Sequence, residues 1–194
     1  MKDGACSTVK VWDAFVRIAH WSLVGSVTAA WLTRHSDSAW HEWLGYMALA
    51  IVVCRVVWGF VGSPYARFSG FVRTPAATVT YAHALIARGE QRFIGHNPLG
   101  GWMIVALLAT VTLLGLTGWL GTTDAYWGVA WVAESHDALS NLLVGLIALH
   151  VAGVAFSSWR HQENLAKAMI TGRKQMIEER SANQRGPNAP NQRN

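Results

Sequence analysis

The stretch His136-Asp137-Ala138-Leu139-Ser140-Asn141-Leu142-Leu143-Val144-Gly145-Leu146-Ile147-Ala148-Leu149-His150 is a predominantly apolar run with a histidine at each end. An α-helix turns about 100° per residue, so the fourteen steps from His136 to His150 return to within roughly 40° of the starting direction, about 21 Å further along the axis. The two imidazoles therefore share a helix face. Their depths differ by about two-thirds of a bilayer's hydrocarbon core. Polar, titratable groups at such depths are costly in lipid and mark sites with a function and a partner.

The composition around this stretch is that of a membrane protein. Of 194 residues, 52% are hydrophobic, 14% are charged and eleven are tryptophan; a soluble chain carries about 25% charge. The two cysteines, Cys6 and Cys54, form no motif with a neighbour, which excludes a disulfide framework, a cysteine-ligated cluster and covalent haem attachment. The net charge of +5 flanks apolar runs, so it reads as membrane topology and gives no support for nucleic-acid binding.

Four runs are long enough to cross a bilayer, at about residues 13–32, 41–60, 99–120 and 136–156. Residues 1–12 form a short polar tail and residues 176–194 a polar, aromatic-poor tail expected to be disordered. Residues 13–175 form one four-span domain. Trp40 and Trp43 at one end of the second span and Trp58 at the other are placed as interfacial anchors. The third span carries no ionisable residue, and its Gly115 and Gly118 suit close helix packing. In the long connection before it, Thr74-Pro75 reads as a helix start and Gly89 as its stop. Val79, Ala82 and Ile86 share a face of that short helix, which suits either a membrane surface or an ordinary loop helix.

Fifteen of the sixteen lysines and arginines lie in or near the N-terminal tail, the 61–98 connection and the C-terminal tail; only Arg34 lies in the other two connections. The positive-inside rule then puts both termini in the cytoplasm of a four-helix transmembrane bundle. Threading the spans gives each histidine a depth. His20 and His150 fall together in the cytoplasmic half, and His41 and His136 fall together in the outer half.

Two facing neutral imidazoles are an axial ligand set for a six-coordinate haem, and antiparallel bundles hold cofactors from facing helices. Two such pairs predict two non-covalent b-type haems, with irons about 20 Å apart along the membrane normal. Bis-histidine ligation closes the iron and favours electron transfer. Zinc would need two further ligands at each depth, and no cysteine or carboxylate is placed to supply them. A haem-free proton or ion relay of histidine, arginine and aspartate is the alternative. Arg17 and Arg55 lie near the inner pair, where each either binds a haem propionate or extends to the lipid headgroups. His96, at the inner mouth of the third span, either lines a quinone site or is structural. His35, His83 and His161 lie in connections or the tail and suggest no site.

Several segments together resemble the bacterial cytochrome b561 and nickel-iron hydrogenase b-type cytochrome family. They are Trp12-Asp13 with Arg17-Ile18-Ala19-His20-Trp21, His41-Glu42-Trp43-Leu44-Gly45, Arg55 with Trp58-Gly59-Phe60-Val61-Gly62, and Gly95-His96-Asn97-Pro98-Leu99-Gly100. The His136 to His150 span and a tail of Glu163-Asn164-Leu165 with Met169-Ile170-Thr171-Gly172-Arg173-Lys174 complete the set. The resemblance covers roughly residues 10 to 175. It implies a bacterial inner-membrane cytochrome with two b haems ligated by His20, His41, His136 and His150. Such a protein exchanges electrons between the quinone pool and a partner such as a c-type cytochrome or a hydrogenase. It leaves open a superoxide:ubiquinone oxidoreductase, an enzyme in its own right. The outer connections oppose that branch mildly, since Arg34 there stands against Asp37, Asp124 and Glu134.

Overall fold

Four long helices arranged up and down carry the chain across one bundle in the computed structural model, which describes residues 7–36, 39–89, 91, 93 and 95–176. They are α1 (Ala14–Thr33), α2 (Trp40–Val61), α5 (Pro98–Gly121) and α6 (Ala130–Arg160). Between α2 and α5 lie the short helices α3 (Phe68–Phe71) and α4 (Pro75–Ile86). After α6 come α7 (Leu165–Thr171) and a strand, β2 (Arg173–Met176), that pairs antiparallel with an N-terminal strand, β1 (Ser7–Lys10). The fold is therefore not purely helical. The β1–β2 ladder brings both ends of the described chain to the same end of the bundle.

The caps are local and readable. Asp13 accepts from the Val16 N–H at 2.8 Å to start α1, and Asn97 accepts from the Gly100 N–H at 2.7 Å, with Pro98 in the first turn of α5. Each such cap contributes about 1 kcal/mol. Thr74 and Pro75 start α4 as expected, but its end differs: the helix stops at Ile86, and Arg88 takes the left-handed conformation (φ 59°) one residue before Gly89. The Gly89 N–H then closes on the Ala84 carbonyl at 2.9 Å. Along α5 the threonine hydroxyls donate back to carbonyls one turn earlier, Thr110 to Ala106 and Thr112 to Leu108, both at 2.8 Å. That satisfies them without a partner outside the helix.

α1 packs on α2, α2 on α5 and α5 on α6, so the four helices form a bent row. Ala48, Val52, Leu108, Val111 and Leu143 form the core where α2, α5 and α6 meet. A second core of Val11, Trp12, Val16, Ala66 and Ala168 ties the N-terminus, the turn after α2 and α7 together. Between α1 and α6, which close the row, a cavity opens instead of direct packing.

α2, α5 and α6 are long and apolar enough to cross a membrane; α1, of 20 residues, does not reach the same hydropathy, since Arg17 and His20 interrupt it. α6 begins at Ala130, so His136 sits in its second turn. Trp40 and Trp43 are 65% and 66% exposed, as interfacial anchors would be. Trp58, at the other end of α2, packs its ring on Phe15 and donates Nε1 to Asp13 at 3.1 Å. Of residues 176–194, expected to be a disordered tail, Met176 is the last residue of β2, and residues 177–194, with Cys6, Asp37, Glu90 and Arg92, lie outside the described residues.

Candidate functional site

The cavity beside α6 has a volume of about 810 Å³ and is lined by all four long helices and the turn before α6. His41 of α2 and His136 of α6 meet in it, with ring centroids 6.0 Å apart and planes at 75°. That spacing suits one metal centre between them, since imidazole–metal bonds are about 2 Å long. The Nδ1 of His41 lies 2.9 Å from the Ala30 carbonyl of α1. A carbonyl can only accept, so Nδ1 carries the proton and Nε2 keeps its lone pair.

His136 is held in a parallel way. Its Nδ1 lies 3.2 Å from the Thr117 hydroxyl, which itself donates to the Leu113 and Leu114 carbonyls, each at 3.0 Å. With its one proton shared between two helix carbonyls, that hydroxyl can accept from Nδ1–H; the Leu114 backbone is a second partner of the ring, and with Nδ1 as the donor Nε2 of His136 is again the free acceptor. Gly118 makes room for the ring: a Cβ there would lie 3.2 Å from His136 Cε1. Thr117 and Gly118 are the site residues that sequence reading passed over, because the third span has no ionisable residue to draw attention.

At the other end of the bundle His20 of α1 and His150 of α6 come within electrostatic reach of one another. His96 joins them. It is wedged between Trp12 and Phe71, at centroid distances of 4.5 and 5.0 Å, and faces Lys174, Arg55, His150 and His20. Its Nδ1 is closed off from solvent with no hydrogen-bond partner among the described residues. Burial first, and then these basic neighbours, push its pKa down to about 3. His96 is therefore neutral at physiological pH.

The two arginines lie at this same end of the bundle. Arg55 is buried on α2, where its Nη2 donates to the Ala66 carbonyl at 3.2 Å and its guanidinium lies 5.6 Å from the Phe68 ring centroid. Arg17 donates through Nη1 to the Ile170 carbonyl at 2.7 Å. Each leaves one buried donor, Arg55 Nη1 and Arg17 Nε, without a partner among the described residues. Unpaired buried donors on charged groups are expensive, and they define a place for an anionic acceptor. No group of three or more His, Cys, Asp or Glu side chains suited to holding a bare metal ion occurs among the described residues.

An up-and-down bundle of apolar helices, with paired imidazoles turned into an apolar cavity and unpaired guanidinium donors at one end, defines a membrane protein built to hold a macrocyclic metal cofactor. The chain belongs to the prokaryotic cytochrome b561 family, whose model matches residues 11–172. No curated protein and no solved structure matches the chain. As a member it is a membrane b-type cytochrome that transfers electrons. The residues present fit a haem: free Nε2 lone pairs for iron, an apolar cavity for the macrocycle and orphaned arginine donors for carboxylates.

Proposed function

We propose that this chain is a four-span, two-haem cytochrome b of the bacterial inner membrane, with both termini cytoplasmic, relaying single electrons between quinone and a redox partner on the outer side. The observation that carries the proposal is the sorting of four histidines into two pairs at opposite ends of one bundle. His41 and His136 would ligate the outer haem, and His20 and His150 the inner. A bound haem b supplies a one-electron ferric–ferrous couple with both axial positions filled.

The protein's own groups divide the remaining work. Ala30 and Thr117 hold the outer imidazoles in the tautomer that leaves Nε2 free, and such outer partners raise ligand basicity and fix ring orientation. Arg17 and Arg55 would neutralise the inner propionates through the donors they leave unpaired. His96, neutral and beside the inner pair, is suited to donate or accept a hydrogen bond at a quinone carbonyl or hydroxyl. With a pKa about 3 it would orient the quinone without carrying a proton.

The outer end favours a cationic or neutral partner over an anionic substrate. Glu42, Asp124, Glu134 and Asp137 are exposed there, while Arg34 stacks on Trp31 at 4.2 Å. That charge balance opposes attraction of superoxide and suits a basic docking face such as a small c-type cytochrome can present. A reduced-minus-oxidised spectrum with a pyridine haemochrome count on the purified chain tests the proposal. Two b haems per chain are expected; one or none overturns it.

A further inference from the structure

The two ends of the described chain meet beside His96. In the β1–β2 ladder Val9 stands opposite Lys174 and Lys10 opposite Arg173. Just beyond it, the Val11 and Trp12 N–H groups both donate to the Gly172 carbonyl, at 2.9 and 3.1 Å. Gly172 is left-handed (φ 78°), and its own N–H closes α7 on the Ala168 carbonyl at 2.8 Å. No side chain fits here. A Cβ on Gly172 would lie 2.6 Å from the Trp12 carbonyl oxygen and 3.3 Å from Arg17 Nη1.

This turn also grips a residue of the first long helix. Arg17 Nη1 donates to the carbonyl of Ile170, two residues before Gly172, across 153 positions of sequence. The guanidinium is a rigid planar fork, so anchoring Nη1 fixes the direction of Nε. That Nε is buried without a partner among the described residues, and Arg17 lies three residues before His20, on the same face of α1. The Ile170–Gly172 turn belongs to the tail motif Met169-Ile170-Thr171-Gly172-Arg173-Lys174, to which haem ligation gives no role.

We propose that the Ile170–Gly172 turn is a positioning device for the inner haem: it holds Arg17 so that Nε–H meets a haem carboxylate and keeps the cation close to the iron. The proposal rests on the two-haem assignment above. A cation fixed beside the haem favours the ferrous state, which carries one positive charge fewer, so the turn raises the inner midpoint potential. Gly172 and Ile170 touch neither iron nor quinone and act through Arg17.

Redox titration of the full-length haem-loaded protein tests it. Arg17→Gln and Gly172→Ala are each expected to shift the inner one-electron equilibrium several-fold toward the ferric state, with the outer haem unmoved. The double variant should shift no further than Arg17→Gln alone, because both changes remove one interaction. Additive shifts, or no inner shift in Gly172→Ala, overturn the proposal. If Gly172→Ala does not accumulate as folded protein, Arg17→Lys carries the test, since it keeps the charge but lacks Nε–H on a planar fork. The inner haem must then shift toward the ferric state, and an unmoved potential overturns the proposal. A wild-type protein with fewer than two haems removes the two-haem assignment and this proposal with it. Two haems with an unresponsive inner potential remove only the positioning role.

Discussion

The two ends of the bundle solve different problems with the same pair of side chains. At the outer end, His41 and His136 stand in an apolar cavity and have their Nδ1 atoms held by Ala30 and Thr117. At the other end, His20 and His150 lie within electrostatic reach of each other and of His96; Arg17, Arg55 and His96 each keep a buried polar atom with no hydrogen-bond partner among the described residues. The cavity end holds both its imidazoles by hydrogen bonds through Nδ1, with Arg34, Glu42 and Asp137 also in its lining. The other end gathers Arg17 and Arg55, each with one unpaired buried donor, although Asp13 lies near Arg55 and Glu163 pairs with Lys174. On the proposed two-haem assignment, ligand orientation should dominate the response of the haem held by His41 and His136, and charge the response of the haem held by His20 and His150.

The sharpest break in this contrast comes from Gly118→Val. Its branched side chain would occupy the space of the His136 ring, whose Cε1 is 3.2 Å from an added Cβ. The outer haem should be lost and the inner kept, giving one haem per chain in a pyridine haemochrome assay. Thr117→Val keeps the volume but removes the hydroxyl partner of Nδ1, leaving the Leu114 backbone as the ring's remaining partner. Loss of such an outer partner costs about 10- to 100-fold in metal affinity, so the outer haem should be released first in competition with an apo-haem acceptor protein, while inner-haem release is unchanged.

The inner end should respond to pH through His96. Its pKa in the folded protein, about 3, lies below the ordinary value of 6.5, so the unfolded chain binds the extra proton first as pH falls. Stability from this residue is complete above about pH 6.5 and falls as pH drops toward 3, by at most about 1.4 kcal/mol per pH unit. Thermal melting in detergent between pH 7 and 4.5 should show this slope, and His96→Phe should flatten it. A smaller effect is expected from Arg55→Leu. It should lower the inner midpoint potential by about 60 mV, a tenfold change in a one-electron equilibrium, and leave the outer potential in place.

Much of this contrast was legible in the residues. The lengths of the apolar runs located the four long helices, three of which are apolar enough to cross a membrane, and helix arithmetic expected His41 beside His136, whose rings lie 6.0 Å apart. The third span's contribution was not legible, since a threonine and a glycine in an apolar run look the same whether or not they serve an imidazole. Thr117 matters only because its neighbour His136 arrives from a different helix. The β1–β2 clasp was equally hidden: two four-residue polar segments more than 160 positions apart carry no local sign of pairing. Trp58 is a further case, since nothing near it in the sequence shows that its indole meets the Asp13 carboxylate from another part of the chain. At the end of α4, Arg88 took the left-handed position expected of Gly89, because the Gly89 N–H reaches back to Ala84 when the turn closes one residue earlier.

The most direct test of the central claim is the haem content and redox spectrum of four single variants, His20→Ala, His41→Ala, His136→Ala and His150→Ala. Each should retain one b haem, with His20→Ala and His150→Ala leaving the same outer haem and His41→Ala and His136→Ala the same inner one. If His20→Ala and His150→Ala leave different haems, or any of the four keeps both, the pairing is wrong.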